Sequence, residues 1–144
     1  MISPIVFNKI ISKLENLFDY YKILKEIQKV NRKSFVNDYH FYSLAERYLQ
    51  LCIEIMLDIS KMIINDQDLK KPEDNQNVFS VLKDEKVISK KMYNQLLGVA
   101  NFRNILVHDY EKIDREIVYN NLQKNIEQFV QFRKEIAKYL NKKC

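Results

Sequence analysis

The chain has 144 residues, 47% of them hydrophobic, with a formal net charge of +5, one glycine (Gly98), two prolines, two cysteines and no tryptophan. That length suits one domain with a sizeable core, whereas a single glycine cannot supply the positive-φ turns on which hairpins, dinucleotide-binding folds and phosphate loops depend. Sandwiches, barrels and Walker-type loops are therefore excluded. The expectation is an all-α chain, one helical bundle over residues 1–144 with about four long helices and a short one.

Ser3 followed by Pro4 reads as a cap and first helical residue. From there Phe7, Ile10, Leu14, Leu17, Tyr21 and Leu24 form one stripe of a helix running to about residue 30. Residues 31–37 are polar apart from Phe35 and Val36, and a second helix is predicted from Asp38 to about residue 64 on the stripe Leu44, Tyr48, Leu51, Ile55, Ile59 and Met62. Residues 65–77, with Pro72 and one apolar side chain (Leu69), read as the main loop. A short helix follows over residues 78–86. Ser89 reads as the cap of a fourth helix and Asp114 as the cap of a fifth, carrying Ile117, Leu122, Ile126, Phe129, Phe132 and Ile136 toward residue 140.

The longest stretch without a charge is residues 92–102, eleven residues, too short for the ~20 a membrane helix needs. No export signal is read at the amino terminus, and Cys52 and Cys144 suggest neither a disulfide framework nor a metal site, so a cytoplasmic protein is expected. The charge is uneven. Residues 1–33 carry seven Lys/Arg against three Asp/Glu and residues 133–144 five against one, while residues 34–132 carry twelve against fifteen. Basic ends suit either a nucleic-acid surface or the solvated faces of terminal helices.

The fourth helix breaks its own pattern. Its stripe is Met92, Leu96, Val99, Arg103, Leu106 and Tyr110. An arginine on an apolar seam needs a partner, because a buried charge costs several kcal/mol (roughly) when unpaired; Glu54 or Asp58 of the second helix is the expected carboxylate. A purely structural ion pair is one explanation of Arg103. On the same helix Asn94, Asn101, Asn104 and His108 fall on another face, with Arg103 and His108 about 140° apart at 100° per residue. One regular helix cannot aim both at one phosphate, so either the helix bends between them or a site combines two chains across a two-fold axis. Gly98 within this helix suggests a close approach at a helix or dimer contact.

Arg, His and Tyr within eight residues are the parts that metal-free phosphodiester cleavage needs. A guanidinium neutralises the charge developing on phosphorus, and an imidazole moves protons near neutral pH. RNA alone supplies an internal 2′-OH nucleophile. His40, between Tyr39 and Phe41, lacks such company and reads as a surface residue.

The run Arg103-Asn104-Ile105-Leu106-Val107-His108-Asp109-Tyr110 resembles the signature of HEPN-domain proteins of the HepT type: Arg, a polar residue, three more residues, His, one residue, Tyr. The resemblance covers nearly the whole chain, most strongly residues 38–140. It implies an HEPN-like bundle that forms a homodimer, with two Arg/His motifs facing each other in a basic cleft. It also implies a toxin-like ribonuclease that cleaves RNA by 2′-OH attack with no metal or other cofactor, with Arg103 and His108 catalytic and Asn104 and Tyr110 supporting. Its implied partner is an MntA-like nucleotidyltransferase antitoxin that silences the toxin by attaching AMP to Tyr110. Two other readings stand beside it: a non-catalytic helical subunit that presents a substrate to a nucleotidyltransferase, and a plain helical dimer in which Arg103 and His108 are structural.

Overall fold

The computed structural model describes residues 1–108 and 113–143. Its helices are α1 (Pro4–Ile27), α2 (Arg32–Asn37), α3 (Tyr39–Asp66), α4 (Val78–Asp84), α5 (Lys90–Gln95), α6 (Val99–His108), α7 (Arg115–Lys124) and α8 (Glu127–Lys143), with a 3₁₀ turn at Asn75–Asn77 leading into α4. Among the described residues there is no strand.

Local chemistry sets the helix starts. The side chains of Ser3, Asp38, Ser89 and Asp114 accept from the backbone N–H of Val6, His40, Met92 and Glu116, satisfying donors that a helix start leaves open. At the start of α1 the Ser3 N–H donates to Asp66 at the end of α3 (3.3 Å), so the two long helices lie antiparallel. α8 returns along α1: Tyr21 bonds Glu127 at 2.7 Å and Arg133 donates to the Leu14 carbonyl at 3.2 Å. The core between them holds Ile10, Leu17 and Leu24 of α1, Met56, Ile59 and Ile63 of α3, and Phe132 and Ile136 of α8, all buried. Burial of this kind, at roughly 25 cal/mol per Å² of apolar surface, is the main stabilising term.

Several expectations are corrected. The polar stretch after α1 contains α2, whose Phe35 is fully buried. The predicted fourth helix is two helices, because Gly98 stands at φ +83°, a backbone angle that a helix interior cannot contain. The predicted fifth helix divides at Asn125, the C-cap of α7. A Cβ built on Gly98 would meet nothing within 4 Å, so within the chain this glycine serves a turn and not a close helix contact. Because α3 is covered on most of its circumference, its inward side includes Ala45, Leu49, Cys52 and Met56, while Leu44 is exposed. In α7 it is Val118, not Ile117, that is buried. Among the described residues no helix is long and apolar enough to cross a membrane.

Candidate active site

α6 starts immediately after Gly98, packs against α3 and buries Ala100 and Leu106. The break at Gly98 does not shift the apolar phase. Met92 and Leu96 before it are buried, and Val99 and Leu106 after it also face inward. Arg103 thus falls on the seam as its spacing predicts, and its side chain is 25% exposed.

What holds it there is Glu54 of α3. Nη2 of Arg103 donates to Glu54 Oε1 at 3.1 Å, and Nη1 donates to Asn104 Oδ1 at 3.3 Å. Gln50, one turn earlier on α3, donates to the same Glu54 oxygen at 3.1 Å and steadies the carboxylate. Asp58, the other carboxylate expected to pair with Arg103, is engaged with Lys13 of α1 at 3.5 Å. Nε of Arg103 is buried with no acceptor. Two of the five guanidinium N–H donors therefore have protein acceptors among the described residues. Arg103 lines a pocket of about 270 Å³ together with Glu54, Leu57, Asp58, Lys61 and Asn75, two cations facing two carboxylates.

An arginine anchored by a carboxylate but still partly exposed is suited to meet an anion, since guanidinium binds phosphate oxygens through paired, charge-assisted hydrogen bonds. Gln50, Lys61 and Asn75 were not singled out in the sequence. Gln50 sits one turn from Glu54 on the same face, a spacing that could have suggested it; Asn75 lies in the long loop, where no periodicity points to it. Asn94 belongs to α5 and is separated from Asn101 and Asn104 by the Gly98 turn.

His108 lies five residues after Arg103, and α6 continues unbroken from one to the other. The bend that would have let one chain aim both residues at one point is thus absent between them. The side chain of His108, and all of Tyr110, lie outside the described residues. His40 is exposed and bonded to Asp38 at 2.9 Å. Among the described residues no group of three or more His, Cys, Asp or Glu comes together as a metal site would.

A family model described as ribonuclease HepT-like matches residues 17–136. The chain is 30% identical over 113 residues to the mRNA nuclease HepT of Shewanella oneidensis, covering 77% of this chain and 85% of that protein. It is 24% identical over 139 residues to the tRNA nuclease HepT of Aphanizomenon flos-aquae, covering 96% and 92%. A solved structure of a tri-AMPylated Shewanella oneidensis HEPN toxin in complex with its MNT antitoxin superposes with a TM-score of 0.81 at 27% identity, covering 90% of this chain and 96% of that one. A toxin–antitoxin complex with AMP-PNP superposes with a TM-score of 0.82 at 26% identity, covering 90% and 97%. The chain belongs to the HepT-like ribonuclease family.

Proposed function

We propose that this chain is the toxin of a toxin–antitoxin pair, an RNA endonuclease that works as a homodimer and needs no metal. The observation that carries the reading is the state of Arg103: a cation on an apolar seam, tethered to Glu54 and Asn104, with a quarter of its side chain exposed beside a pocket. A purely structural ion pair would bury and saturate the guanidinium more completely.

In the proposed reaction the 2′-OH of a ribose attacks the adjacent phosphorus while an imidazole of His108 takes its proton. The P–O5′ bond breaks, the departing oxygen takes a proton from water while the imidazolium returns its own to solvent, and a 2′,3′-cyclic phosphate and a 5′-OH remain. Arg103 neutralises the charge gathering on the phosphoryl oxygens, and Asn104 fixes the guanidinium plane. Because α6 turns His108 about 140° from Arg103, the reading assigns the two roles at one phosphate to Arg103 of one protomer and His108 of the other.

The relative's complex with MNT antitoxin supports a nucleotidyltransferase partner for this chain. Transfer of AMP to Tyr110 would put phosphate charge near Arg103, where it competes with substrate. The test is cleavage of RNA by purified, unmodified protein in excess EDTA. Cleavage with cyclic-phosphate ends is expected, falling at least about a hundredfold in Arg103→Ala and His108→Ala; full activity in both variants would refute the assignment. After co-expression with a partner nucleotidyltransferase, mass analysis is expected to find AMP on the Tyr110 peptide.

A further inference from the structure

The positive charge at the C-terminal end has a structural location. Lys138 and Lys142, one turn apart on α8, line a groove of about 640 Å³ together with Lys83, Lys86 and Lys90 from the α4–α5 corner. Buried Val87 and Ile88 contribute apolar lining, so the cations are carried on a firm base. One carboxylate lines the groove, and it is committed. Glu135 accepts from the Ser89 backbone N–H at 2.6 Å and from the Ser89 hydroxyl at 3.0 Å. Lys83 is drawn to Asp84 (3.5 Å) and to the Tyr93 ring (4.4 Å). Lys86, Lys90, Lys138 and Lys142 have no carboxylate within ion-pair distance among the described residues. None of the groove's residues lines the Arg103 pocket.

We propose that this groove is a second contact for RNA, holding the phosphodiester backbone of the strand away from the bond that is cut. The inference rests on the reading of the chain as a ribonuclease. Lysines are compact point charges that pair with phosphates in any orientation, so such a contact adds affinity without sequence preference. An acidic protein surface is the poorer occupant: the groove offers no arginine, and its aromatic ring, Tyr139, is only 9% exposed, so the anchors that dominate protein interfaces are missing. Cations contributed from two segments of the fold suit a strand lying between them.

The test uses the full chain, Lys90→Ala/Lys138→Ala/Lys142→Ala, and a 30-nucleotide single-stranded RNA that is 2′-O-methylated so that it binds without being cut. Loss of three single-strand phosphate contacts is expected to flatten the slope of log affinity against log salt by about two units, so that between 50 and 200 mM salt the wild type loses roughly 20-fold more affinity than the variant. With unmethylated RNA the variant is expected to show a raised KM on the 30-mer and an unchanged rate on a four-nucleotide RNA spanning the same cleaved bond. Unchanged affinity and salt slope would overturn the proposal. So would loss of nucleotidyltransferase binding with RNA binding intact, which would assign the groove to an acidic protein face. A wild type that binds the 30-mer through these lysines but cuts no RNA would instead refute the ribonuclease reading, and the two failures are therefore separable.

Discussion

Arg103 of α6 donates to Glu54 of α3 across 3.1 Å, an ion pair set into a seam whose other members are apolar, with side chains 25% and 30% exposed. Partial exposure limits what the pair adds to stability, at most about 1 kcal/mol, while its geometry fixes where the guanidinium points. In the proposed reaction Glu54 is thus a positioning residue. Glu54→Gln keeps an oxygen acceptor for Arg103 and removes the charge; Glu54→Leu removes both. RNA cleavage is expected to fall about tenfold in Glu54→Gln and further in Glu54→Leu, since a charge-assisted hydrogen bond is roughly twice as strong as a neutral one. In Glu54→Gln the melting temperature is expected to move by no more than about 3 °C. Kinetics beside thermal melts checks this; equal activity losses in step with equal stability losses would mean a merely structural pair.

Gly98 separates α5 from α6 at φ +83°, with no atom within 4 Å of where a Cβ would stand. Gly98→Ala therefore costs backbone strain alone, about 1 to 2 kcal/mol, seen as a melting temperature lower by about 3 to 6 °C. Thermal unfolding by circular dichroism reads it. A neutral or stabilising substitution would mean that the chain runs as one helix through this point.

Tyr21 and Glu127 tie α1 to α8 through a 2.7 Å hydrogen bond. Burial, followed by the bond to Glu127 and its charge, pushes the Tyr21 phenol up to about 12, while the same bond holds the Glu127 carboxyl below its usual value. A raised phenol contributes stability that is complete below pH 10 and lost as pH climbs toward 12. A lowered carboxylate contributes stability that is present above about pH 4.5 and lost as pH falls through its folded value. The stability gap between wild type and Tyr21→Phe is accordingly widest between about pH 5 and pH 10 and narrows at both ends. Denaturant melts across pH check the shape; a gap independent of pH would deny the linkage.

The starts of α1, α3, α5 and α7 were legible because capping is local. Ser3, Asp38, Ser89 and Asp114 each bond a backbone N–H two or three residues ahead. The break at Gly98 was not, because Leu96 and Val99 keep a spacing of three across it and a period carries no information about φ. On α3 the difficulty was different. A helix buried on most sides offers several apolar stripes, and the one beginning at Leu44 leads to solvent. Glu54 and Asp58, four residues apart, share a face and were indistinguishable until the third dimension brought Lys13 beside Asp58 and left Glu54 to Arg103. The Arg103–His108 spacing was fully legible, and α6 runs continuously between them, which leaves the proposed two-chain site as the arrangement of the two that remains open.

The proposed shared site can be tested by complementation. Arg103→Ala and His108→Ala homodimers, each inactive, are mixed under conditions that exchange protomers, with heterodimer formation followed by native mass spectrometry. A site built from Arg103 of one protomer and His108 of its partner leaves one intact site in each heterodimer, and statistical exchange is expected to restore about a quarter of wild-type RNA cleavage in EDTA. Heterodimers that form and remain inactive would contradict the account.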